Sequence, residues 1–217
     1  GHGGPGEMDG HLCEQADVQV AIPDGIAASC CGTPFASKGH QRAYRQMRDA
    51  MVPWLWRVTD EGRLPVVVDA TSCTEGWHGT IAGVEAAYGR SITVVDVIAF
   101  TRSRLLPRLP QPTRLPSVVV HPTCSTTRLG LTPDLLALAS AIAERVEVPA
   151  DWGCCGFAGD RGLLHPELTA SATARQAAQV RELDAQAHVS ANRTCELGMT
   201  RATGTAYVHV IEQLAKL

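Results

Sequence analysis

The arrangement of the cysteines constrains this chain more than any other feature of its sequence. Four of the eight form two adjacent pairs, and glycine follows each pair. Adjacent cysteines cannot easily bond to each other without strain, so a disulfide scaffold would require each pair to reach two separate partners. Metal ligation is simpler, because glycine allows one short turn to present both sulfurs on the same side. The cysteines are Cys13, Cys30, Cys31, Cys73, Cys124, Cys154, Cys155 and Cys195.

The two pairs lie in halves of similar sequence. The separation between Cys31 and Cys73 along the chain is nearly the same as that between Cys155 and Cys195. The halves meet at a proline-rich stretch, 107–116, which indicates an internal duplication. The predicted repeats are residues 1–110 and 111–217.

The second half has one further cysteine, Cys124, well ahead of its pair. The same offset in the first half falls just before residue 1. We therefore expect that the first half has lost its leading cysteine by truncation, and we interpret residues 1–4 as a fragment or processed end. Cys13 does not align with Cys124, and we expect it to be a small buried residue on a helix.

Composition excludes several classes of protein. With 45% hydrophobic and 19% charged residues, the chain can bury a core, which excludes a disordered tail. A net charge of −3 without a basic block argues against a nucleic-acid partner. The apolar runs are strand-sized, so no transmembrane segment is expected. No signal peptide is recognisable, and we expect a cytoplasmic protein that could lie peripherally on the inner face of the cell membrane.

Short β-branched runs alternate with helical patterns. This predicts an α/β fold of two similar lobes, each a small sheet containing parallel strands flanked by helices, with cysteine loops at strand ends. In the helix that begins at Pro166, five apolar residues are expected to face inward: Leu168, Ala172, Ala178, Val180 and Leu183. The predicted strands are 66–68, 92–95 and 118–120. The predicted helices are 41–56, 97–106, 135–145, 166–184 and 207–217.

The second half supplies four thiolates and the first half three. Thiolates are soft ligands that suit both zinc and iron–sulfur clusters, so spacing alone leaves the two open. Because the four ligands are spread along most of the second half, the site must be closed by the whole fold. The predicted ligands are Cys124, Cys154, Cys155 and Cys195 in the second half, and Cys30, Cys31 and Cys73 in the first.

Particular stretches carry a family resemblance: Cys30–Gly39 (CCGTPFASKG), Gly153–Gly162 (GCCGFAGDRG), Pro122-Thr123-Cys124 and Cys195. They resemble the cysteine-rich CCG domain shared by the heterodisulfide reductase B subunit, the glycolate oxidase iron–sulfur subunit and FAD-linked D-lactate dehydrogenases. The likeness is greatest to the C-terminal part of large FAD-linked oxidases. It implies 4Fe-4S clusters that take electrons from FAD in another domain or subunit, after oxidation of a 2-hydroxy acid. A quinone or other redox carrier would accept the electrons.

Two departures limit what the resemblance implies. The fullest family pattern ends in C-x-x-C and supplies five cysteines to a noncubane cluster, whereas Gly76 and Gly198 stand at the last position here. Each half therefore offers four ligands at most, and we expect the three of the first half to hold a cluster poorly or not at all. The chain has no dinucleotide fingerprint or phosphate loop, so substrate oxidation is expected elsewhere and this part is not expected to be catalytic alone.

Two other functions stay open at this point. One is a zinc-stabilised interaction module, and the other is a thiol–disulfide reductase using Cys154 and Cys155. His121 and His165 lie near the cysteines but are expected to be solvated or capping residues rather than ligands.

Overall fold

The computed structural model of the chain describes residues 5–217, and residues 1–4, interpreted above as a processed end, lie outside them. The chain forms two compact units. The small unit is Val20–Val97, and the large unit joins the chain through Gln19 to Ile98–Leu217. None of the described helices is long and apolar enough to cross a membrane.

The elements of the first part of the chain are α1 (Pro5–Gln15), α2 (Thr33–Ser37), α3 (Gln41–Val58), β1 (Val66–Val68), α4 (Thr71–Gly76), α5 (His78–Tyr88) and β2 (Val94–Asp96), with a 3-10 turn at Ile26–Ala28. The elements that follow are α6 (Val97–Phe100), β3 (Leu115–Val120), α7 (Cys124–Arg128), α8 (Thr132–Ile142), β4 (Ala143–Glu147), α9 (Arg161–Leu164), α10 (Pro166–Glu182), β5 (Ala187–Ser190), α11 (Arg193–Thr203), β6 (Val208–His209) and α12 (Val210–Leu214). A π-helical turn, Thr101–Leu105, and a 3-10 turn, Leu106–Arg108, continue α6.

The small unit is built on a two-stranded parallel sheet. β1 pairs with β2 in a register that sets Val66 opposite Val94. Met51 and Leu55 from α3 and Val84 from α5 are buried in its core. α4 begins shortly after β1, so the sheet places the helix that carries Cys73.

The large unit is built on a four-stranded sheet in the order β4-β3-β5-β6, and every pairing is parallel. The last three residues of β3, Val118 to Val120, are fully buried. Such a continuous apolar run is typical of a parallel strand covered on both faces. Leu138 and Ile142 of α8 are also fully buried, and α8 packs against β3 and β4.

The predicted α/β class is confirmed, because helices flank parallel sheets and the cysteines follow strand ends. Strand 66–68 forms as predicted, strand 118–120 lies within β3, and the strand predicted at 92–95 occupies Val94–Asp96. The duplication, with bounds 1–110 and 111–217, stays a prediction.

Two predicted helices were wrong in part. The helix predicted over 135–145 ends at Ile142, and β4 follows at once. Ala143, Glu144 and Arg145 favour helix intrinsically, but pairing with β3 overrides that preference. The helix predicted over 207–217 likewise begins only at Val210, after the short strand β6 has paired with β5.

The inward face predicted for α10 was also wrong. Leu168, Ala172 and Ala178 are exposed, whereas only Val180 of the fully apolar set is buried and Leu183 is half-buried. The buried face is largely polar: Thr169, Thr173, Gln176, Ala177 and Val180. The helix therefore presents hydroxyl and amide groups toward the interior of the large unit.

Candidate metal centre

Three neighbouring strands of the large unit lead into its cysteines. β3 is followed by Cys124 at the first position of α7, β4 by the pair Cys154–Cys155, and β5 by Cys195 in the first turn of α11. Because the strands are parallel and adjacent in the order β4-β3-β5, their carboxyl ends lie at one edge of the sheet. The sheet therefore brings all four predicted ligands of the second half to the same edge.

The turn at Cys154–Cys155 depends on Gly156. Its φ of +68° lies in the left-handed region, and a Cβ there would lie 3.0 Å from the Leu168 carbonyl oxygen. The Gly156 amide donates to Cys154 Sγ at 3.4 Å. Cys154 is exposed while Cys155 is buried, so the turn gives its two sulfurs different surroundings.

Cys155 and Cys195 share a proton. Their sulfurs are 3.2 Å apart. The pKa of Cys155 is lowered to about 5, chiefly by its hydrogen bond with Cys195; burial opposes this shift, and a hydrogen bond with His121 adds to it. The same contact with Cys155, together with burial, raises the pKa of Cys195 far above its ordinary value. The contact between the two sulfurs thus favours the loss of one proton from the pair.

Cys124 completes the set of sulfurs. A capping box fixes its position, since Thr123 Oγ1 accepts from the Thr126 amide at 3.0 Å and Thr126 Oγ1 accepts from the Thr123 amide at 2.8 Å. Burial raises the pKa of Cys124, and its contact with Cys154 raises it further. The thiols therefore form two interacting pairs, Cys124 with Cys154 and Cys155 with Cys195.

His121 corrects one expectation from the sequence. It is only 1% exposed rather than solvated. A ring nitrogen of His121 and the sulfurs of Cys155 and Cys195 all lie within 4.8 Å of one another, and all three residues are buried. His165, by contrast, is exposed and pairs with Glu167 at 3.2 Å, as a solvated residue was expected to do.

Aromatic and small residues enclose the buried sulfurs. Phe157 is 1% exposed and packs with Cys155 and Cys195. Gly198 faces the same place, since a Cβ there would lie 3.3 Å from Phe157 Cδ2 and 3.6 Å from Cys155 Cβ. The Trp152 indole donates to the Pro122 carbonyl at 2.6 Å, which ties the segment before the cysteine pair to the segment before Cys124.

The small unit repeats much of this local geometry. Gly32 has φ of +81°, and its amide donates to Cys30 Sγ at 3.4 Å. A hydrogen bond with Cys73 lowers the pKa of Cys31 to about 5, against burial, and the same bond raises the pKa of Cys73. Asp96, buried at the end of β2, accepts from Thr74 Oγ1 at 2.7 Å and so anchors the helix that carries Cys73. The three predicted ligands of the first half are thus brought together.

Sequence reasoning placed the cysteines but missed two neighbours of the centre. Cys13 is buried on α1, as expected. Phe157 lies within the Gly153–Gly162 stretch, although nothing in that stretch indicates that its ring covers the sulfurs. Gln176, whose side-chain amide lies 2.7 Å from His121 Nδ1, has no sequence signal at all, because its position depends on which face α10 turns inward.

The donor set fits a soft metal. Two sulfurs on a single tetrahedral zinc ion lie about 3.8 Å apart, given Zn–S bonds of about 2.3 Å. The observed 3.2 Å between Cys155 and Cys195 reaches that separation with a small side-chain movement. Thiolate and imidazole donors also suit iron, so the donor chemistry alone leaves the metal open.

The comparison with known families agrees with this geometry. Residues 118–200 match the family CCG, described as a cysteine-rich domain. The matched stretch begins within β3 and ends within α11, so it contains Cys124, Cys154, Cys155 and Cys195. The part of the large unit that builds this thiol-rich sheet edge is therefore similar to the cysteine-rich domain of the CCG family.

Proposed function

We propose that the large unit is an iron–sulfur electron-transfer domain of a flavin-dependent 2-hydroxy-acid dehydrogenase of the D-lactate or glycolate type. The observation that carries the proposal is the convergence of four thiols at one sheet edge within a CCG domain. A 4Fe-4S cluster would supply one-electron transfer between a flavin and a second carrier. Cys124, Cys154, Cys155 and Cys195 would hold it.

The surroundings of the thiols support this role. Phe157 and the buried pair Cys155 and Cys195 form a dry inner wall, which favours electron transfer without access of water to the buried sulfurs. Cys154 is exposed on the outer side. Electrons would therefore enter or leave on the side of Cys154, where a redox partner can approach.

The partners follow from the same proposal. A flavin-binding domain or subunit would deliver the electrons, and a quinone or other redox carrier would take them. The oxidation of the hydroxy acid would occur at the flavin, so this chain would not catalyse it alone. The proposed location is the cytoplasm, at the inner face of the cell membrane where a quinone is accessible.

Metal analysis of the full chain tests the proposal. We expect anaerobically reconstituted protein to be brown, to contain iron and acid-labile sulfide, and to lose its visible absorption on addition of dithionite. Cys154→Ser should abolish the cluster of the large unit, whereas Cys13→Ser should leave the iron content unchanged. Protein that takes up neither iron nor sulfide would refute the proposal.

A zinc-stabilised interaction module is the second candidate. It is favoured by the short distance between Cys155 and Cys195 and by the imidazole beside them, since this compact set can surround one ion. Colourless protein with stoichiometric zinc and no response to dithionite would select this function over electron transfer.

A further inference from the structure

We infer that His121 is a metal ligand of the large unit, binding through Nε2, and that Gln176 positions it by holding Nδ1. The inference rests on the metal-binding part of the proposed function, and in it His121 takes the place of one sulfur of the Cys124 and Cys154 pair.

The burial of His121 requires partners for both ring nitrogens. The side chain is 1% exposed, and a buried polar group without a partner costs about 1–3 kcal/mol. Its backbone is fixed as well, because the His121 amide donates to the Val189 carbonyl at 2.9 Å and Ser190 Oγ donates to the His121 carbonyl at 2.9 Å. The imidazole is therefore held at the end of β3 and cannot swing out to water.

Gln176 occupies one side of the ring. Its Nε2 lies 2.7 Å from His121 Nδ1, and the side chain is 2% exposed. It projects from the polar inward face of α10, which also carries Thr169 and Thr173. Burying a side-chain amide costs free energy unless the amide is hydrogen-bonded. Here its partner is the imidazole of His121. Its contact leaves Nε2 as the ring nitrogen available to the centre.

The buried thiols lie close to the same ring. His121 hydrogen-bonds with Cys155, and the ligand atoms of His121, Cys155 and Cys195 lie within 4.8 Å of one another. Two sulfurs and one nitrogen supply three donors of a tetrahedral ion, and a sulfur of the Cys124 and Cys154 pair can supply the fourth. An imidazole among thiolates raises the reduction potential of an iron–sulfur centre.

Gln176 can support both states of the ring because an amide offers a donor and an acceptor. In the metal-free protein the amide NH₂ donates to Nδ1, so the proton lies on Nε2, on the side of the Cys155 sulfur. When a metal binds, rotation of the amide presents Oε1 to a proton on Nδ1, and the lone pair of Nε2 faces the ion. Metal binding would therefore change the tautomer of the imidazole. A ligating histidine commonly donates its second N–H to such an acceptor.

Nuclear magnetic resonance on the full chain, labelled with 15N-histidine and loaded with Zn²⁺ alone, tests the inference directly. Of the eight histidines, one should show a metal-bound Nε2 and a proton on Nδ1, and its signals should be absent from His121→Ala. His165→Ala is the matched control and should keep them. Bound zinc with His121 signals unchanged from the metal-free protein would overturn the inference, and this readout in the unsubstituted protein does not depend on how any variant folds.

Substitution of Gln176 tests the positioning role. Gln176→Leu should weaken zinc binding about 10- to 100-fold and change the tautomer of His121, whereas Gln176→Glu should preserve both because it keeps an acceptor for Nδ1–H. Gln46→Leu, at an exposed position of α3, controls for the loss of a glutamine. If Gln176→Leu lowers only stability and leaves the tautomer unchanged, Gln176 is a structural residue and its positioning role is wrong. Iron and sulfide content is measured separately, so failure of the electron-transfer proposal would not be confused with failure of this one.

Discussion

At the scale of single residues, the two sulfurs of each cysteine pair make different contacts. The first sulfur, Cys30 or Cys154, accepts a hydrogen bond from the amide of the following glycine at 3.4 Å. The second, Cys31 or Cys155, turns inward and shares a proton with a cysteine in the first turn of a helix. Cys155 therefore lies against Cys195, with 3.2 Å between the two sulfurs, whereas the thiol–disulfide enzyme considered from the sequence would use Cys154 and Cys155.

We predict that mild oxidation of the metal-free protein with peroxide joins Cys155 to Cys195. The thiolate of Cys155 is oxidised to a sulfenic acid, and Cys195 displaces water to form the disulfide. The two sulfurs already lie 3.2 Å apart. Peptide mapping without reductant should recover this cross-link in preference to one between Cys154 and Cys155. Recovery mainly of the adjacent pair would contradict the assignment.

Gly76 and Gly198, which each lie three residues after a cysteine, should respond differently to substitution. A Cβ at Gly76 would collide with Thr33 Oγ1 and lie 3.0 Å from Cys31 Sγ, whereas a Cβ at Gly198 has no neighbour closer than 3.3 Å. Gly76→Ala should therefore destabilise the protein by about 1–3 kcal/mol, as overpacking does. Gly198→Ala should cost less.

Denaturant unfolding of the metal-free protein measures this difference. Thr33→Ala removes the colliding oxygen and provides the control, because it should recover part of the loss caused by Gly76→Ala. Equal costs at Gly76 and Gly198 would show that the space around the two cysteine pairs is the same.

At the scale of elements, the sequence was informative where one strong pattern decided the structure. The β-branched runs predicted β1 and β3, and the cysteine spacing predicted which segments meet. β4 could not be predicted, because Ala143, Glu144 and Arg145 favour helix and only pairing with β3 makes them a strand. The orientation of α10 failed for a related reason. Its buried side is largely polar and sets Gln176 against His121, and hydrophobic periodicity does not detect such a face.

The stability of the large unit depends on pH through His209, at the start of α12. His209 caps this helix, with its Nδ1 accepting from the Ile211 amide at 3.3 Å. Burial lowers the pKa of His209 to about 4, below the value of about 6.5 in an unfolded chain. The folded state therefore binds this proton less readily than the unfolded state. The contribution of neutral His209 to the stability of the fold is complete above a pH of about 6.5 and is lost as the pH falls toward about 4.

We expect the free energy of unfolding of the metal-free protein to fall by about 3 kcal/mol from this group alone over that interval. His209→Asn keeps a capping acceptor but cannot titrate, so its stability should depend less on pH. Urea titrations at several pH values across that interval measure the difference between the two proteins. Parallel curves would exclude His209 as the titrating group.

At the scale of the whole molecule, the two units offer thiols of similar local geometry but unequal donor sets. The large unit has four cysteines and His121 at one sheet edge, whereas the small unit has Cys30, Cys31 and Cys73. Among the described residues, the group with three donor atoms close enough to share an ion is His121, Cys155 and Cys195. The weak first site expected from the sequence stays a prediction.

This inequality predicts an asymmetric response to serine substitution. Cys155→Ser should remove most of the bound metal and the stabilisation that the metal gives, because a metal that binds only the folded state adds about 4 kcal/mol at a free concentration about 1,000 times its Kd. Cys31→Ser, the matched change in the small unit, should remove little of either.

Metal content and thermal unfolding of the full chain, with and without added metal, measure both effects, and Cys13→Ser controls for the loss of a buried thiol. Equal losses from Cys31→Ser and Cys155→Ser would mean that the three thiols of the small unit bind metal as well as the larger set does, and that His121 adds nothing to affinity.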